Sequence, residues 1–135
     1  FSTYNKPLEQ LKIKLNASNI NSVYLHSDLD LMQRNNIIHS FRNDETINCL
    51  LCNSKIGGEG LTLTEANEMI FLNEWWNPSS NRQAVDRINR IGQKKEINVY
   101  VLRSKETIDQ NLEVILKDKN ILEKDFLNIL VKKIS

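Results

Sequence analysis

The chain has 135 residues, 40% hydrophobic and 26% charged, with a formal net charge of +1. That length suits one domain with a real core, burying roughly two-thirds of the unfolded chain's surface, and the composition reads as soluble and globular. No apolar run reaches the ~20 residues of a membrane-spanning helix, and near-neutral charge means that any nucleic-acid contact must come from local groups. No secretory signal is visible, and a start at Phe1 without Met reads as a fragment. The apolar residues expected before Ser2 in a buried strand are mostly missing.

Leu8, Leu11 and Leu15 recur at helical spacing with Pro7 in the first turn, which predicts a helix over 7–18. Ile20 to Leu25 is β-branched and apolar and predicts a strand. Asp30-x-x-Gln33 reads as a capping box opening a helix over 31–42, with Arg34, Ile38 and Phe41 on its inner face. Residues 47–52 form a near-continuous apolar run, as in a parallel sheet covered on both faces. Cys49 and Cys52 lie in that run at C-x-x-C spacing. There is no second pair, so they read as buried strand residues, and no metal site is expected. Two free thiols fit a reducing compartment.

Gly57, Gly58 and Gly60 follow that strand and let the backbone turn sharply and approach a ligand. Met69 to Leu72 predicts the next strand. Asn77 and Pro78 read as a helix cap and first turn. The stretch from Gln83 to Gln93 reads as a helix with Gln83, Arg87 and Arg90 on one face, an apolar stripe of Ala84, Ile88 and Ile91 beside it, and Gly92 as its stop. Ile97 to Leu102 predicts a further strand. Thr107-x-x-Gln110 reads as a second capping box. An apolar stripe from Ile108 to Ile129 follows it, with a break expected at Asp118–Asn120. The division expected is a lobe over 1–105 and a C-terminal helical extension over 106–135 packing on it.

Strands alternating with helices imply an α/β fold with a parallel sheet, flanking helices and right-handed crossovers. Ligands then bind beyond the carboxyl ends of the strands. The Gly loop and the turn before Trp75 both fall at such ends. ATP hydrolysis needs a phosphate loop with its Lys and a carboxylate for Mg²⁺. This chain has no G-x-x-x-x-G-K-[ST], and its Gly loop continues as Leu61-Thr62. It carries instead the complementary half, cations able to stabilise charge developing on a γ-phosphate.

Gln83-x-x-x-Arg87-x-x-Arg90 followed by Ile91-Gly92-Gln93 resembles motif VI of the SWI/SNF-type DNA-dependent ATPases, a branch of the superfamily-two helicases. Gly-Gly-Glu-Gly-Leu-Thr-Leu at 57–63 resembles their motif V, Trp76-Asn77-Pro78 their tryptophan block, and Phe1-Ser2-Thr3 the end of motif IV. The resemblance implies the C-terminal RecA-like helicase lobe, P-loop NTPase-like without its own P-loop. Arg87 and Arg90 would be arginine fingers for ATP, held with Mg²⁺ mainly by an absent first lobe of the same protein. Gln83, Gly58 and Glu59 would lie near the nucleotide, with a salt bridge from the arginines to Asp86 or Glu59 as the structural alternative. Ser2, Thr3, Arg34, Ser54, Lys55, Gly57 and Trp76 would contact DNA.

Ser54-Lys55 stands where the family usually has Thr-Arg, Glu59 where it has a small residue, and Asn73-Glu74 where it has an acidic pair. His26 at a strand end reads as structural. The implied function is a double-stranded DNA translocase of the chromatin-remodelling type, in the nucleus if the source is eukaryotic and otherwise cytoplasmic or viral, with no membrane partner. The rivals are a strand-separating DNA or RNA helicase lobe and a non-catalytic interaction module.

Overall fold

Strands and helices alternate along the computed structural model, which describes residues 1–56, 61–75, 77–103 and 117–119. The order is α1 (Asn5–Ala17), β1 (Ser22–Leu25), α2 (Leu31–Asn43), β2 (Cys49–Cys52), a 3-10 turn at Ser54–Ile56, β3 (Glu68–Phe71), α3 (Pro78–Val85) and β4 (Asn98–Val101). β1 pairs with β2 in parallel, Ser22 opposite Cys49, and β3 with β4 in parallel, Glu68 opposite Asn98.

The two pairs are joined by the first residues of the chain. Ser2 N–H donates to Cys52 O at 3.2 Å and Ser54 N–H to Ser2 O at 2.8 Å. On the other side the Phe1 amine donates to Ile70 O at 2.7 Å and Leu72 N–H to Phe1 O at 2.9 Å. Phe1–Thr3 therefore lies between β2 and β3, and the spatial order is β1, β2, Phe1–Thr3, β3, β4. Before Phe1, the facing edges of β2 and β3 border a cavity of about 600 Å³ lined by Leu8, Phe41, Leu51, Leu63, Met69 and Ile70 among others.

α2 opens on the expected capping box: Gln33 N–H donates to Asp30 Oδ1 at 2.8 Å and Asp30 N–H to Gln33 Oε1 at 3.0 Å. Arg34, Ile38 and Phe41 are its half-buried face. α1 buries Leu8 fully and Leu11 and Leu15 in part. The strand after it starts later than its sequence suggests. Asn19 takes a left-handed φ of 57°, and Ile20 N–H turns back to Leu15 O at 2.9 Å, so Ile20 closes the helix instead of entering β1. Leu51 and Cys52 point to opposite faces and are both buried, as a strand covered on two sides requires. Met69 and Phe71 of β3 alternate inward and pack with Leu63, Ala84 and Ile88 into the core beneath α3.

Among the described residues no helix is long and apolar enough to cross a membrane. The capping box at Thr107 and nearly all of the 106–135 extension lie outside the described residues. Residues 117–119 are helical, and Asn120, where the expected break ends, lies outside the described residues.

Candidate nucleotide and nucleic-acid interface

Asn77 and Pro78 start α3 as their sequence dictates, with Ser79 N–H donating to Asn77 Oδ1 at 2.9 Å. The helix does not run on to Gln93. It ends at Val85, and the chain continues in turns. Arg87 N–H donates to Ala84 O at 3.3 Å and Ile88 N–H to Val85 O at 3.0 Å, three-residue closures in place of helical ones. Arg87 O accepts Leu63 N–H at 2.8 Å, so the turn after α3 is bonded to the loop that follows the glycines.

The expected common face of Gln83, Arg87 and Arg90 is thereby split. Gln83 is exposed on α3, Arg87 is only 8% exposed in the turn, and Arg90 is exposed beyond it. The apolar stripe holds for Ala84 and Ile88, which are buried, and fails at Ile91, which is fully exposed. Gly92 adopts a φ of +106°, so the reversal falls where a side chain would be strained. Gln93 stitches the turn shut: its Nε2 donates to Ala66 O at 2.8 Å and Ile88 O at 3.2 Å, and its Oε1 accepts Lys95 N–H at 3.0 Å.

The two arginines remain neighbours. Burial, and then the nearby Arg90 charge, push the Arg87 guanidinium below its ordinary value, against a raising effect of Cys52. An arginine stays charged through such a shift. Arg90 Nη1 donates to Thr62 Oγ1 at 2.8 Å, and Arg42 holds the same loop through Thr62 O and, at 3.6 Å, Glu65. The residues after the Gly loop and the arginine turn thus form one unit. Gly57, Gly58, Glu59 and Trp76 lie outside the described residues.

A second group of side chains gathers at the carboxyl ends of the strands. Ser2 is fully buried, and its hydroxyl donates to Asn73 Oδ1 at 2.7 Å while accepting Tyr4 N–H at 3.1 Å. Its backbone N–H and carbonyl are also engaged, with Cys52 O and Ser54 N–H. Asn73 Oδ1 also accepts Thr3 N–H at 3.3 Å, and Asn73 Nδ2 donates to Thr3 Oγ1. Asn53 does the equivalent after β2, accepting Lys55 N–H at 2.8 Å and donating to Asn5 Oδ1. Ser54 Oγ is buried with no hydrogen-bond partner among the described residues. Lys55 is exposed and lies over the Trp75 ring. Thr3, Ser54 and Lys55 therefore share one edge of the sheet.

Asn53 and Asn73 have roles that sequence reading missed. The available signal was an Asn placed directly after an apolar strand run. Asn73-Glu74 also gains an account here, Asn73 as the clamp on Thr3 and Glu74 as the partner of Arg103 at 2.8 Å. Arg34 Nε donates to Leu29 O at 2.9 Å and its Nη2 to Ser27 O at 2.8 Å, which ties α2 to the turn before it. His26 packs on Tyr24 with ring centroids 4.8 Å apart.

A parallel sheet with an arginine turn beside its loops, and no phosphate loop of its own, defines the C-terminal RecA-like lobe of a helicase-type ATPase. The comparisons with known proteins agree. Residues 1–92 match the family model described as the helicase conserved C-terminal domain, and the chain belongs to that family, in its SWI/SNF-type branch. It is 41% identical over 95 residues to the TATA-binding protein-associated factor MOT1 of Saccharomyces cerevisiae, covering 70% of this chain and 5% of that protein. It is 31% identical over 123 residues to the ATP-dependent helicase FUN30 of the same yeast, covering 91% of this chain and 11% of that one. A crystal structure of the C-terminal part of the Fun30 ATPase domain superposes with a TM-score of 0.82 at 30% identity, covering 86% of this chain and 37% of that one. The chain spans only 5% and 11% of the length of these two curated relatives.

Proposed function

We propose that this chain is the second lobe of an ATP-driven double-stranded DNA translocase, supplying arginine fingers to ATP bound on a first lobe and gripping the DNA backbone. The observation that carries the reading is the arginine pair, Arg87 buried with its backbone carbonyl bonded to Leu63 N–H, and Arg90 exposed with its guanidinium bonded to Thr62. Guanidinium groups suit the oxygens of a γ-phosphate and would repel Mg²⁺, so the metal's ligands belong to the facing lobe. Arg90 is the finger, Arg87 its buried neighbour, and Gln83, Gly58 and Glu59 stand by the nucleotide. ATP closes the lobes, and hydrolysis reopens them.

Thr3, Ser54, Lys55, Gly57 and Trp76 hold one strand, with Ser2 and Arg34 behind them. Lys and backbone N–H groups suit phosphate and read no base. The relative named as an ATP-dependent helicase supports ATP use. The lobe is residues 1–105, with 106–135 as an extension packing on it. Such a motor works in the nucleus if the source is eukaryotic.

The test is ATPase activity of the full-length protein with duplex and single-stranded DNA. Stimulation by duplex is expected. Stimulation by single strands alone would identify a strand-separating helicase, and no turnover with either an interaction module. The 135-residue chain by itself should hydrolyse no ATP above background, and robust turnover by it would overturn the two-lobe reading.

A further inference from the structure

Thr3, Tyr4, Lys55, Glu74 and Trp75 frame a small pocket of about 110 Å³ at the carboxyl edge of the sheet. Its walls come from three separate places in the chain: the segment between β2 and β3, the turn after β2, and the turn after β3. Lys55 Nζ lies 5.5 Å from the centroid of the Trp75 ring, within cation–π range. A lysine on an exposed turn otherwise samples many rotamers, and fixing it costs entropy. The ring restricts where the ammonium can sit.

Trp75 is itself held from α3. Its N–H donates to Asn81 Oδ1 at 2.9 Å, and its carbonyl accepts Asn81 Nδ2 at 3.1 Å. Glu74 would place a negative charge in the same pocket. Arg103 Nη2 donates to Glu74 Oε2 at 2.8 Å, with the Glu74 side chain 15% exposed. Lys55, Glu74 and Arg103 together carry one net positive charge, and an anion meets no uncompensated carboxylate among these three.

We infer that Trp75 is a positioning residue for Lys55, holding its ammonium at this pocket so that a backbone phosphate of bound DNA seats there. The inference rests on the proposed DNA grip of Lys55. It assigns Trp75 a role distinct from stacking on a base. The ring's face carries the lysine, and the lysine carries the phosphate.

The experiment is equilibrium binding of the full-length protein to a fluorescent duplex at several salt concentrations, with thermal melting of each variant. Lys55→Ala should weaken binding about threefold to tenfold and lower the slope of log K against log salt by about one, as for one lost phosphate contact. Trp75→Leu should weaken binding in the same direction and add nothing in the Lys55→Ala background. Trp75→Phe, which keeps an aromatic face, should recover most of the affinity. A tetrafluoroindole at position 75 keeps the ring's shape and removes its negative face, so it reads the contact without disturbing the fold. It should weaken binding as Trp75→Leu does.

If Lys55→Ala weakens binding while the fluorinated ring leaves it unchanged, the positioning role is overturned and the grip stands. Multiplying losses in the double variant would likewise overturn it, by showing a separate Trp75 contact. A Lys55→Ala protein that binds like wild type would overturn both.

Discussion

Arg90 Nη1 donates to Thr62 Oγ1 at 2.8 Å, and this bond ties the exposed arginine of the turn to the loop that follows the glycines. The guanidinium stays exposed, so it is aimed without being buried. The finger role proposed for Arg90 would act mainly in the transition state. In the full-length protein Arg90→Ala should lower kcat by about 10³-fold or more, with a smaller change in ATP affinity. Arg90→Lys should rescue poorly, since a point charge lacks the planar fork. Melting of the lobe should be nearly unchanged. Wild-type kcat, or early melting, would make Arg90 structural.

Arg87 should behave differently, because it is only 8% exposed. Arg87→Ala leaves a space beside the core residue Ile88 and removes a buried charged group from its surroundings. Such changes cost about 2–4 kcal/mol. Loss of kcat should therefore come with a melting temperature lower by several degrees. A melting curve that overlays the wild type would place Arg87 in the open cleft with Arg90.

The legible parts of this chain were the local ones. The capping box of Asp30 and Gln33, the Asn77–Pro78 helix start and the inward alternation of β3 are settled by residues within a few positions of one another. The misread parts were decided at long range. The Gln83–Gln93 periodicity is helical, yet α3 ends at Val85 and the turn after it is bonded to the distant loop through Leu63 N–H and Arg87 O. Asn73 meets Thr3 across a separation of 70 residues, which no spacing rule reaches. The candidate arginines were recognisable by order and spacing, but their division into one buried and one exposed group was not.

Asn73 supplies the next test. It accepts from Ser2 Oγ and Thr3 N–H and donates to Thr3 Oγ1, so one side chain fixes the end of the Phe1–Thr3 segment. Asn73→Ala strips these partners and should cost about 1–3 kcal/mol. Asn73→Asp keeps both acceptor bonds, and the Thr3 hydroxyl can rotate to donate, so its cost should be smaller. Urea titrations of the two variants give the comparison. Equal stability of Asp and Ala variants would mean that the acceptor bonds contribute little.

Alkaline stability should depend on Cys52. Burial pushes its thiol from an ordinary 9.0 up to about 11, and Cys49 shifts the same way. A folded-state pKa above the unfolded one gives stability that is fully present below pH 9.0 and is lost as pH rises through about 11. The loss from Cys52 is roughly 2–3 kcal/mol. Cys52→Ala should flatten the fall between pH 9 and 11 while lowering stability at pH 7. An unchanged alkaline slope would show that other groups control it.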